Sequence, residues 1–80
     1  MTSTDEIYKW VAEILKQQFH FCDADLRPES SLIDDLDLDS IDAIDLTVRL
    51  EEKTGLAFKE EDLKAIHTIQ DVVIFLHERL

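Results

Sequence analysis

The stretch Asp39-Ser40-Ile41-Asp42-Ala43-Ile44-Asp45-Leu46-Thr47-Val48-Arg49-Leu50-Glu51-Glu52-Lys53-Thr54-Gly55 reads as one helix with both ends marked. Asp39 can accept an N–H from the first turn, and Thr54-Gly55, holding the only glycine of the chain, can stop it. The predicted helix therefore runs from Ser40 to about Lys53, and Ser40 sits at its N-terminus. At about 100° per residue, Ala43, Leu46, Thr47 and Leu50 gather on one side while Ile41, Ile44 and Val48 gather on another, roughly 140° away. Asp45 and Glu52 border the second stripe on one edge and Glu51 on the other. Such an apolar strip in an acidic frame suits docking onto basic partners. A helix wedged between neighbours would instead bury a wide arc with Ile44 at its edge, and periodicity leaves both readings open.

Upstream, from His20 to Asp39, helical periodicity is lost. Asp23, Asp25, Pro28, Ser30 and Ser31 supply turn chemistry, and Phe21, Leu26, Leu32, Ile33 and Leu36 are expected to anchor a long loop to the core. Ordered loops of about 20 residues in so short a chain are commonly functional. Further upstream, Ser3-Thr4-Asp5-Glu6 has the pattern of a capping box. Ile7, Val11, Ile14, Leu15 and Phe19 then form an apolar face, predicting a first helix that ends near Phe19. Downstream, Glu60 to Ile66 suggests a short helical turn. Thr68 to Asp71 resembles another cap, and Ile69, Val72, Val73, Leu76 and Leu80 give the last helix its apolar face. The expected fold is all-α, a bundle of three main helices and one short one, with a long loop between the first two.

The whole chain, residues 1–80, reads as a single domain. A chain of about 60 residues buries only about 60% of its unfolded surface, so a slightly longer one hardly encloses a deep active site as well. An apolar fraction of 45% argues for a folded domain despite a net charge of −11, from 19 acidic and 8 basic residues. That charge disfavours nucleic acid and anionic membranes as partners and favours basic protein surfaces. No apolar run approaches the roughly 20 residues of a membrane span, and no signal peptide is evident. The lone Cys22 has no partner for an intramolecular disulfide, so a reducing, cytoplasmic setting is expected.

The acidity is local. Between Arg27 and Arg49 no basic residue occurs, whereas Glu29, Asp34, Asp35, Asp37, Asp39, Asp42 and Asp45 are all acidic. Helix-dipole stabilisation, about 0.3–1 kcal/mol for a carboxylate near an N-terminus, does not account for so many. Asp35, Asp37 and Asp39 resemble the start of a calcium loop. Ser40 and Leu46 then stand where that loop needs its Gly and its bidentate Glu, so no metal site is expected. Ser40 lacks flanking Gly and a nearby His, which argues against a hydrolytic nucleophile and against catalysis by this chain. His20, His67 and His77 are scattered and read as surface or interhelical residues. Cys22, between Phe21 and Asp23, reads as a small, partly buried hydrophobe, and Trp10 as packing.

The run Asp35-Leu36-Asp37-Leu38-Asp39-Ser40-Ile41-Asp42 resembles the phosphopantetheine attachment site of acyl carrier proteins, usually Asp-Leu-Gly-x-Asp-Ser-Leu-Asp. Length, charge and the order of predicted elements agree with that family over essentially the whole chain. The resemblance implies a four-helix bundle in which Ser40 carries 4′-phosphopantetheine through a phosphodiester, with Asp39 beside it. It implies that the side bearing Ile41, Ile44 and Val48 faces partner enzymes, flanked by Asp42, Asp45, Glu51 and Glu52. The implied partners are a phosphopantetheinyl transferase and ketosynthase, ketoreductase, dehydratase and acyltransferase-type enzymes with basic docking patches, the free carrier being a monomer. The resemblance implies a carrier of thioester-bound acyl intermediates in a fatty-acid-like or polyketide-like pathway. Asp37 and Ile41 depart from the usual Gly and Leu, and the resulting form looks like carriers of secondary pathways such as bacterial aryl polyene synthesis. An acidic helical interaction module without a prosthetic group is the alternative reading.

Overall fold

Ser3 Oγ accepts the Glu6 N–H at 3.2 Å and starts α1 (Thr4–Phe19), although the return bond that would complete a capping box is not made. The helix ends on His20, whose φ of 62° is left-handed, a conformation in which Gly is more usual. In this computed structural model, which describes residues 3–80, α2 (Ser40–Thr54), α3 (Glu60–Ala65) and α4 (Ile69–Arg79) follow. A single 3-10 turn, Asp23–Asp25, interrupts the long α1–α2 loop. The all-α arrangement of three long helices and one short one is the expected fold. Two ends differ slightly from expectation. α2 continues to Thr54, where Gly55 takes φ 78° and donates its N–H to Glu51 at 2.8 Å. α3 stops at Ala65 because Ile66 is extended, which lets the next carbonyl, of His67, meet the loop.

The core is built from the predicted faces, except that Leu80 lies past the end of α4 and is 51% exposed. Ile7, Val11 and Leu15 of α1, Leu46 and Leu50 of α2, and Ile69, Val72, Val73 and Leu76 of α4 are all less than 2% exposed. Each such side chain contributes roughly 1.5–3 kcal/mol of transfer free energy. α1 and α4 form the principal helix pair, and α2 packs more lightly on α1. The Trp10 ring packs half-buried on the core edge, with the Lys53 ammonium 5.6 Å from its centroid.

The loop is held by backbone as well as by side chains. Leu32 N donates to His67 O at 2.9 Å, Ile69 N to Ser30 O at 3.2 Å, and Gln70 N to Pro28 O at 2.9 Å. Leu26, Leu32 and Leu36 are buried anchors as expected, and Phe21 is partly buried. Ile33 is not an anchor. It is 51% exposed, because the Ser31–Asp35 turn points Leu32 inward and its neighbour out, and Leu38 enters the core instead. Cys22 is likewise exposed rather than partly buried, since its N–H and thiol both turn to Asp25 Oδ2, at 3.1 and 3.0 Å. The hydrogen bond to Asp25, with the nearby negative charge, pushes the Cys22 thiol up from its ordinary pKa. A more protonated thiol is a poorer nucleophile.

The α3–α4 junction turns on Asp71, whose Oδ2 accepts the N–H of His67 at 3.0 Å and of Thr68 at 3.1 Å, while Thr68 Oγ1 accepts the Asp71 N–H. The His67 bond, foremost, holds the Asp71 carboxyl below the usual carboxylate range. A depressed folded-state pKa means that this stabilisation is complete above the ordinary carboxylate pKa and fades as pH falls through the depressed value. Asp71→Ala is expected to cost about 1–2 kcal/mol in urea unfolding at neutral pH. The difference from wild type should shrink on acidification, and a constant difference would show that the carboxylate charge is not involved. Asp25→Asn is expected to speed alkylation of Cys22 at neutral pH, measured by mass spectrometry; an unchanged rate would show that Asp25 does not restrain the thiol.

Candidate functional site

The approach to α2 is an alternating run. Leu36 and Leu38 are buried at 4% exposure each, while Asp35, Asp37 and Asp39 between and beside them are exposed. Leu38 N donates to Leu32 O at 3.0 Å, and Asp35 Oδ2 accepts the Ser31 N–H at 2.7 Å, which fixes the run against the turn before it. Asp37 takes φ 55°, the left-handed region that favours Gly. Asp39 then caps α2: its Oδ1 accepts the Asp42 N–H at 2.8 Å, and Asp42 Oδ2 accepts the Asp39 N–H at 3.4 Å. Asp39 and Asp42 therefore form a reciprocal capping box around Ser40, the first residue of the helix.

The four serines of the chain are not equivalent. Ser3 Oγ accepts from Glu6 N, Ser30 Oγ from Arg27 N and Ser31 Oγ from Asp34 N. Ser40 is exposed, and among the described residues its hydroxyl has no such partner. The N–H groups of Ser40 and Ile41, at the positive end of the helix dipole, are also without partners among the described residues. Accessible hydroxyl and unpaired N–H groups suit attachment of a phosphate-bearing group at this point.

The two stripes of α2 separate cleanly. Leu46, Thr47 and Leu50 are buried, whereas Ile41, Ile44 and Val48 are 74%, 51% and 42% exposed. The acidic residues bordering the exposed strip are less uniform. Asp45 pairs with Arg49 Nε at 3.3 Å, Glu51 Oε2 accepts the Phe58 N–H at 2.8 Å, and Glu52 is exposed. Between α2 and α3 lies an apolar cleft of about 340 Å3, at the small end of ligand pockets, which Ser40 lines together with Ile44 at the edge of the exposed strip. Its buried wall includes Leu32, Leu46, Leu50 and Val72, and α3 supplies Leu63 and Lys64. The contribution of α3 was not readable from sequence, since Leu63 and Ile66 are too few apolar positions to define a face. The three histidines are exposed and distant in sequence, and the described residues contain no cluster able to hold a metal ion.

A family model for the phosphopantetheine attachment site matches residues 9–76. Acyl carrier protein 2 of Ralstonia nicotianae is 42% identical over 73 residues, covering 91% of this chain and 89% of the relative. The chain belongs to the acyl carrier protein family. Acyl carrier protein of Myxococcus xanthus is 38% identical over 76 residues, covering 95% and 96% of the two chains. A solved structure described as an acyl carrier protein of Mycobacterium tuberculosis superposes with a TM-score of 0.83 at 22% identity, over 92% of this chain and 99% of the other, which shows the shared fold. As a member of that family the protein is a carrier rather than a catalyst, bearing covalently attached 4′-phosphopantetheine and interacting with biosynthetic enzymes and with a phosphopantetheinyl transferase. No helix among the described residues is long and apolar enough to cross a membrane.

Membership explains the odd backbone at Asp37, where the family motif usually has Gly. The left-handed φ of 55° is one that Gly adopts freely, and Asp is among the other residues that tolerate it best. Asp37→Val is expected to destabilise the carrier by about 1–2 kcal/mol in chemical denaturation, while Asp37→Gly matches wild type within about 1 kcal/mol. Equal stability of the two variants would show that φ at this position does not matter. Ile44→Ala and Val48→Ala should each cost well under the ~2–5 kcal/mol typical of a core truncation. A core-sized loss would place the strip inside the fold.

Proposed function

We propose that Ser40 is the attachment residue for 4′-phosphopantetheine and that Asp39 holds it at the start of α2. The observation that carries this reading is the exposed Ser40 hydroxyl, without a hydrogen-bond partner among the described residues, inside the matched attachment region. When attached, the arm supplies the thiol on which an acyl group is carried as a thioester. The chain's own part is positional. The Asp39–Asp42 box presents Ser40 at a helix end, and the unpaired N–H groups and helix dipole offset the repulsion between a phosphodiester and the surrounding aspartates. The cleft that Ser40 lines is proposed to receive the acyl chain, its size suiting a short or medium chain.

The exposed strip of Ile41, Ile44 and Val48 supports docking of partner enzymes, with Asp42, Asp45, Glu51 and Glu52 steering basic patches toward it. Charges of this kind govern encounter rate and specificity more than tight affinity, which suits a carrier that must leave each enzyme. The proposed partners are ketosynthase, ketoreductase, dehydratase and acyltransferase-type enzymes, met in the cytoplasm by a monomeric carrier formed by residues 1–80. The carrier is proposed to serve a fatty-acid-like or polyketide-like pathway, and the Asp37 form of the motif resembles carriers of secondary pathways of aryl polyene type.

Incubation with a phosphopantetheinyl transferase and coenzyme A is expected to add one arm to the wild type and none to Ser40→Ala, read by intact mass. An unmodified wild type that still supports its partners would favour a purely acidic interaction module. Turnover by partners is expected to slow as salt shortens the Debye length, about 8 Å at 0.15 M. Salt-insensitive transfer would contradict charge steering.

A further inference from the structure

Helix α3 lines the cleft through Glu60, Leu63 and Lys64, yet it has six residues and none of them is buried. So short a helix is not stable by itself and is not held by an apolar face. Its attachment comes from side chains of its neighbours. At its upstream end, Phe58 N donates to Glu51 Oε2 at 2.8 Å, and the Phe58 ring stacks on Phe75 of α4 with centroids 4.6 Å apart. Within it, Asp62 Oδ2 caps the first turn by accepting the Lys59 N–H at 2.9 Å, and Asp62 Oδ1 faces Arg79 Nη2 at 3.8 Å. The Arg79 guanidinium lies 3.7 Å from the Phe75 ring centroid, and its Nη1 donates to Phe75 O at 3.4 Å. Glu51 on α2, through Phe58, and Arg79 on α4, through Asp62, therefore reach the segment from two sides, and Phe58 and Arg79 both rest on Phe75.

We infer that Glu51 and Arg79 are positioning residues that seat α3 against the cleft and thereby set how well the cleft encloses what it holds. Glu51 acts here as a hydrogen-bond acceptor, a role that its negative charge strengthens but does not define. Arg79 acts through its stack on Phe75 and its contact with Asp62, a partly exposed pair worth little alone and more when joined to the ring. The consequence for cargo rests on the reading of the cleft as the acyl-chain seat. The seating of α3 does not depend on that reading.

Two measurements separate these claims. In amide hydrogen exchange on the full chain without an arm, residues 58–65 should exchange about fivefold faster or more in Glu51→Ala and in Arg79→Ala, the factor matching roughly 1 kcal/mol of lost interaction. Amides of α1 should be unchanged, and Glu51→Gln, which keeps an acceptor but no charge, should stay near wild type. Unchanged exchange in either alanine variant, or Glu51→Gln exchanging as fast as Glu51→Ala, overturns the inference. In the second measurement, carriers loaded with an octanoyl arm are treated with hydroxylamine. The wild-type thioester should react more slowly than free octanoyl-pantetheine, and both alanine variants should move toward the free rate. Protection that neither variant reduces overturns the role in enclosure. A wild-type thioester as reactive as the free compound overturns the cleft reading, whatever the exchange of α3.

Discussion

Three backbone hydrogen bonds between the α1–α2 loop and the head of α4 support the rest of the architecture: Leu32 to His67, Ile69 to Ser30, and Gln70 to Pro28. The loop is long, and apolar anchors alone would leave its register loose. With those bonds in place, Leu32 is turned inward, Leu36 and Leu38 follow into the core, and the run reaches Asp39 in one conformation. Ser40 is then delivered to the surface at the first position of α2. Asp71, at the same junction, binds the N–H groups of His67 and Thr68, so one carboxylate stabilises both the last helix and the partner of the loop.

The acidity of the chain has more than one use. Asp35, Asp39, Asp42 and Asp71 accept backbone N–H bonds, and Glu51 holds the α2–α3 connection. These carboxylates are structural acceptors whose charge also contributes to the field around Ser40. Glu52 and Asp37 are exposed and add to that field. A surface of this kind attracts basic partners at long range while keeping its short-range bonds internal, which fits brief, repeated encounters.

Much of this was legible in the sequence because helical periodicity and capping residues agree. Ser3, Asp39 and Thr68 accept the first-turn N–H groups predicted for them, and Gly55 ends α2. Periodicity located the two stripes of α2 but not their surroundings, since only packing decides which stripe meets α1 and α4. The family resemblance supplied the orientation, and the exposures of Ile41, Ile44 and Val48 agree with it. The loop was harder. Ile33, expected as an anchor, points outward, and Leu38, not named among the anchors, is buried, because side-chain direction in a turn depends on hydrogen bonds such as Leu38 to Leu32, which hydrophobicity does not encode. Cys22 was misjudged for the same reason, its environment being set by Asp25 three residues on. The seating of α3 rests on Glu51, Phe75 and Arg79, distant residues that no local pattern joins.

One serine hydroxyl of the four is set apart from its peers. Ser3, Ser30 and Ser31 are occupied as acceptors in turns and caps, and Ser40 is presented at a helix end with no hydrogen-bond partner for its hydroxyl among the described residues. Fragmentation mass spectrometry of the wild-type chain, after loading by a phosphopantetheinyl transferase, locates the added group residue by residue. The expected result is 4′-phosphopantetheine on Ser40 alone, and a loaded chain with Ser40 bare and another serine modified would contradict it.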